Sequence, residues 1–173
     1  MNMTIKINYV KVHFLTTCPK TDLLEKYFRV VNNIKVAEFL NFPKLKITLM
    51  GRKFQYVNVT GASKLSYVIS FKKYYLSLLE VEILSDISID SISAAYKFKE
   101  KSKKSFEVFR KNLADFKLTI KDNSKFPGVV IRNNFQSKGG CAIYFRSGSL
   151  NFLGFKHPKD IFIMKEKIKN ALF

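Results

Sequence analysis

Stretches of strict alternation and stretches of helical spacing succeed one another along this chain, and their order outlines a fold. Thr4–Leu15 sets Ile5, Ile7 and Tyr9 on one side of an extended strand and Val10, Val12 and Phe14 on the other. A change of side midway predicts a bulge, or a strand covered on both faces. Pro19, Thr21 and Asp22 signal a helix start, Leu23, Leu24, Tyr27, Phe28 and Val31 recur at helical spacing, and Asn32-Asn33 stops the helix. Val36–Phe42, Leu45–Met50 and Phe54–Thr60 read as strands, with turns at Pro43-Lys44 and Gly51-Arg52-Lys53. Gly61 ends this segment, and Ser63–Leu79 follows as a long helix with Leu65, Val68, Ile69, Tyr75, Leu76 and Leu79 on one side.

The plan then repeats. Ile92, Ala94, Tyr96 and Phe98 alternate as in a half-buried strand, and the lysine-rich stretch Lys97–Lys104 reads as a solvated turn. Ser105 caps a helix that turns Phe106, Phe109 and Leu113 inward, and Phe116, Leu118 and Ile120 alternate again. Phe126–Asn133, Cys141–Phe145 and Ser149–Phe155 form an antiparallel meander, joined through Asn134–Gly140 and Ser147-Gly148. Pro158 opens a last helix whose apolar face is Ile161, Met164, Ile168, Ala171 and Leu172. Val57-Asn58-Val59-Thr60-Gly61 lies over Leu150-Asn151-Phe152-Leu153-Gly154 at an offset of 93, and the helices that follow stay in register. Strand, helix, strands and long helix therefore occur twice, which predicts a duplicated α+β unit with antiparallel strands, residues 1–80 and 81–173, forming one pseudo-symmetric domain.

Composition narrows the partners. With 47% apolar residues and 17 phenylalanines among 173 residues, the chain has ample material for a core. Its 31 Lys+Arg against 13 Asp+Glu give a net charge of +18, which favours a polyanion, nucleic acid or an anionic membrane, over a neutral partner. The plainer explanation is solubility. Divided at Glu80, each half carries +9, as two similar halves sharing one anionic ligand would. The amino terminus lacks the apolar core of a signal peptide, and no run approaches the roughly 18 apolar residues of a membrane span. Cys18 and Cys141 lie far apart, which fits reduced thiols and gives no support for a thiol metal site.

Catalysis finds little to stand on. His13 and His157 are the only histidines, the carboxylates are scattered, and Gly139-Gly140 lacks the Gly-Lys-Ser/Thr of a phosphate loop. No catalytic residue, metal ligand or cofactor is expected.

The meander carries more. Phe126-Pro127-Gly128, an apolar strand ending in Arg132, a second strand ending in Phe145-Arg146-Ser147-Gly148, and a third running to Gly154 before a helix resemble the carboxy-terminal repeat of the TATA-box-binding protein (TBP) family. The resemblance implies a curved antiparallel sheet, a saddle, with helices on its convex face. It also implies a non-enzymatic transcription initiation factor that binds and bends A·T-rich double-stranded DNA through the minor groove, where apolar wedges enter base steps. Transcription factors or RNA polymerase would be its partners, with no membrane, in an intracellular setting such as the nucleus or, for a virus-encoded factor, the infected cell.

By the same resemblance, Phe126 and Phe145 are the wedge pair of the second repeat, and Arg132 stands where the family places a backbone-contacting arginine. Asn8 and Val10 resemble the Asn-x-Val that meets base edges; an amide suits that position because A·T pairs offer only acceptors in the minor groove. Val57, Thr60 and Leu153 complete the expected DNA-binding set, with Thr60 as the threonine before glycine and Leu153 replacing its counterpart. Each has a plainer alternative: core for the phenylalanines, a solvated strand for Asn8 and Arg132. Ser91 and Ser93 depart from the second Asn-x-Val. The first repeat lacks a clean Phe-x-Ser-Gly, since Thr48, Leu49 and Met50 precede Gly51, and Phe39 or Phe42 is the candidate wedge there. Lys121-Asp122-Asn123-Ser124-Lys125 replaces the acidic run on which the family docks transcription factor IIB. The alternative function is a protein-interaction module on the same saddle with only nonspecific DNA binding.

Overall fold

The computed structural model describes residues 4–99, 105–121, 127–133 and 139–173, except the side chains of Phe106, Lys121 and Asn133. Its elements are β1 (Lys6–Thr16), α1 (Thr21–Tyr27), β2 (Arg29–Val31), β3 (Ile34–Ala37), β4 (Lys46–Met50), β5 (Gln55–Ala62) and α2 (Leu65–Leu79). Then follow β6 (Ser88–Lys97), α3 (Phe106–Asp115), β7 (Leu118–Lys121), β8 (Gly128–Asn133), β9 (Cys141–Phe145), β10 (Ser149–Phe155) and α4 (Pro158–Leu172).

The chain divides into two compact units, Tyr9–Asp90 and Met1–Asn8 with Ser91–Phe173. These bounds differ from the halves 1–80 and 81–173, and the charge divides differently with them. The Tyr9–Asp90 unit holds 12 basic and 7 acidic residues, the other 19 and 6. The even +9 of the sequence halves becomes +5 and +13.

Within the Tyr9–Asp90 unit the strand order is β2-β3-β4-β5-β1, and in the other it is β6-β10-β9-β8-β7. Every pairing inside either unit is antiparallel. Both units carry the same irregularity. Val12 pairs with Val59 and Val10 with Ala62, while Ala94 pairs with Phe152 and Ile92 with Phe155. Between these pairs one residue of the first strand, Lys11 or Ser93, opposes two on its partner, a bulge. Gly61 and Gly154 occupy it at φ +91° and +78°, and a Cβ on Gly61 would meet the Lys44 carbonyl oxygen at 2.0 Å. Positive φ favours glycine at both positions, and at Gly61 the Lys44 carbonyl excludes any side chain as well.

One face of each set of strands is the core. Val12, Phe14, Ile47, Leu49, Val57 and Val59 are buried against the inner face of α2, which is Val68, Phe71, Tyr75 and Leu79. Phe39 and Phe42 extend this core, with ring centroids 5.6 Å and 5.4 Å from Phe71. In the other unit Ala94, Ile131, Ala142, Leu150 and Phe152 lie under Phe109 and Leu113 of α3 and the predicted face of α4. The Asn112 amide donates to the Ala171 carbonyl at 2.9 Å, tying these two helices together.

Four expectations need correction, the strand read as Val36–Phe42 among them: it is Ile34–Ala37, and 38–45 holds no strand. The first helix ends at Tyr27 rather than running to Asn32: Arg29–Val31 and Ile34–Ala37 form a hairpin around Asn32-Asn33, whose φ values are +50° and +63°. Two successive residues at positive φ make the tight turn that matches strand twist, and asparagine tolerates it. On α2, Leu65 and Ile69 are exposed and Phe71 is buried in their stead. Phe39 and Phe42 are core residues, locked among aromatic rings, and present nothing to a ligand.

Candidate nucleic-acid interface

Because side chains alternate along a strand, burying one face of the strands leaves the other to carry any site. In the Tyr9–Asp90 unit this open face has a central row running across the strands, Val36, Thr48, Asn58 and His13. Beside it lie Lys46 opposite Thr60, and Met50 opposite Tyr56, itself opposite Leu15. The equivalent central row in the other unit is Val130, Ile143, Asn151 and Ala95, flanked by Arg132, Cys141 and Leu153.

Polar chemistry gathers in the first of these. The Nδ1 of His13 and the Oδ1 of Asp90 are 2.8 Å apart. The Thr60 hydroxyl donates to the Lys46 carbonyl across the ladder at 3.3 Å. Asn58 is half-buried, and its Nδ2, shut off from solvent, has no hydrogen-bond partner. Thr16 Oγ1 and the Tyr75 hydroxyl on the core side are likewise buried without a partner. Burial holds the Tyr75 phenol well above its ordinary value, and burial also raises the Tyr144 phenol. Among the described residues no three His, Cys, Asp or Glu side chains come together to hold a metal. No helix there is long and apolar enough to cross a membrane.

Thr60, Arg132, Phe145 and Leu153 all lie on open faces; Leu153 is 41% exposed, Arg132 is exposed, and Thr60 and Phe145 are half-buried. Val10 and Val57 do not. They are 3% and 0% exposed and point into the core. The period of two makes a one-residue slip a change of face. The outward positions are accordingly Tyr9 and Lys11 on β1 and Asn58 on β5, one step away. Asn8 is exposed, but it has the same parity as the buried Val10. Phe126 and the 121–125 stretch, apart from the Lys121 backbone, lie outside the described residues, as does 100–104 of the lysine turn. The shared bulge aligns β1 with β6 at an offset of 82, so Ser91 and Ser93 are counterparts of Tyr9 and Lys11 rather than of Asn8 and Val10.

Sequence reading passed over Asn58 and Asn151, although both stand between two apolar residues in the repeated Val-Asn-Val and Leu-Asn-Phe. That pattern sets each asparagine on the face opposite its two neighbours, and the helix cover makes that face the open one. It also passed over Met50, 51% exposed at the end of β4, the register position that Phe145 holds on β9.

No protein-family model matches the chain, and no curated protein sequence matches it. Among solved structures it is similar to Methanococcus jannaschii TBP, with a TM-score of 0.69 and 19% identity over 97% of each chain. The likeness is one of fold: the chain has the duplicated α+β, antiparallel architecture of that protein.

Proposed function

We propose that this protein is a TBP-like transcription initiation factor that binds A·T-rich duplex DNA through the minor groove, bends it, and serves as an assembly platform. The supporting observation is that both units expose equivalent strand rows, edged by basic side chains, on a fold shared with Methanococcus jannaschii TBP. The net charge of +18 supplies the attraction to phosphate. Phe145, Phe126 and Met50 are the wedges; unstacking costs a few kcal/mol per step and is offset by the contacts a bent duplex permits. Thr60 and Leu153 meet the groove, and Arg132 meets the backbone.

The test is binding of end-labelled A·T-rich and G·C-rich duplexes, with energy transfer between the ends, over a salt series. Selective binding that shortens the end-to-end distance of the A·T-rich duplex is expected. A second reading, a protein-interaction module with nonspecific DNA binding, is favoured by Ile69 and Phe162, exposed at equivalent positions of α2 and α4. It predicts equal binding to straight duplexes that fades steeply with salt.

A further inference from the structure

We propose that the two units read half-sites of unlike composition: the Tyr9–Asp90 unit accepts a G·C pair, and the Ser91–Phe173 unit demands A·T. This rests on the minor-groove reading above. The carrying observation is a systematic difference between two topologically identical rows. Asn58 and Asn151 are equivalent and common to both. Around Asn58 stand Thr48, His13, Thr60 and Lys46; at the corresponding positions around Asn151 stand Ile143, Ala95, Leu153 and Cys141. Four polar neighbours on one face thus become aliphatic side chains and a thiol on the other.

The groove chemistry gives this difference a consequence. A·T and T·A present only acceptors in the minor groove, and a G·C pair adds one donor, the guanine N2 amino group. An amide serves either pair, because it both donates and accepts. Its neighbours decide what else is tolerated. Against Ile143, Ala95 and Leu153, a guanine amino group loses its water and finds Asn151 as its one strong acceptor, and an unmatched buried donor is penalised. Against the other row, Asn58, the Thr48 hydroxyl and His13 all offer acceptors. His13, whose Nδ1 lies 2.8 Å from the Asp90 carboxylate, has Nε2 as the ring nitrogen left for a ligand, an acceptor in the tautomer that carries its proton on Nδ1.

The deciding experiment uses the full chain, an A·T-only duplex chosen by selection from a randomised pool, and derivatives carrying one G·C pair moved step by step through the site. Wild-type protein should lose tenfold or more in affinity for G·C in one half-site and less than threefold in the other. The double variant Thr48→Ile, His13→Ala, which copies the other unit, should raise the smaller penalty toward the larger one. Equal penalties in both halves overturn the proposal, as do unequal penalties that the double variant leaves unmoved. Failure to prefer any duplex overturns this proposal together with the minor-groove reading, whereas selective bending with symmetric penalties overturns this proposal alone. Equal penalties in the wild-type scan overturn the proposal without any variant, and Thr48→Val alone, which should raise the smaller penalty in the same direction, assigns the unit where the double variant does not fold.

Discussion

Met50 closes β4 opposite Tyr56, one step beyond the Leu49–Val57 pair, and Phe145 closes β9 one step beyond the Tyr144–Leu150 pair. The two repeats thus place an apolar side chain at the same register position, a flexible thioether in one and a rigid ring in the other. Both are residue types that wedge between base steps. Phe145→Ala should therefore reduce the bend of an A·T-rich duplex more than Met50→Ala, as read by end-to-end energy transfer. An equal or reversed order contradicts unequal wedges.

Val57 is fully buried. Val57→Thr keeps the shape and adds a hydroxyl with no partner, which should cost about 1–3 kcal/mol of stability. Urea unfolding measures that loss. The ratio of A·T-rich to G·C-rich binding should stay at the wild-type value, since the side chain faces away from the open rows.

Phe39 packs within 5.6 Å of Phe71, 5.8 Å of Tyr74 and 6.0 Å of Phe28, centroid to centroid. Phe39→Ala should cost about 3–5 kcal/mol in urea unfolding. A loss of bending without a loss of stability would return Phe39 to the wedges.

The Tyr75 phenol is raised by burial, and its hydroxyl has no hydrogen-bond partner. A proton held more tightly in the folded state favours folding fully below the ordinary phenol value of 10.0, and that advantage shifts against the fold as pH rises past it. Stability should therefore fall as pH climbs above that value, and Tyr75→Phe should remove part of the fall. At neutral pH the same change should leave stability equal or raise it by up to about 1–3 kcal/mol, because it deletes an unsatisfied buried group. Unfolding curves at neutral and alkaline pH check both statements.

Salt reports on the phosphate contacts. The slope of log affinity against log salt should become shallower by about 0.9 in Arg132→Gln if Arg132 meets one phosphate. An unchanged slope places it away from the backbone.

Much of this molecule was legible before its fold. The bounds of β9 and β10, the start of α4 at Pro158 and the five buried residues of α4 all follow from period and punctuation. The first helix was overextended because Phe28 and Val31 keep helical spacing, while the long-range pairing of β3 with β4 holds the hairpin that replaces its end. Val10 and Val57 were misassigned for a different reason: alternation tells that two faces exist, not which of them the helices cover.

Spacing and composition alone establish the duplication, the α+β class, the basic charge and the glycine ending each repeat. All of these are local or additive, written in spacing, composition and the one residue that tolerates positive φ. Packing and strand pairing were needed to show that Asn58 and Asn151 face outward while Val57 and Leu150 face in, and that Met50 answers Phe145. Those facts depend on which face α2 and α4 cover and on cross-strand register, and both are fixed by contacts between residues distant along the chain.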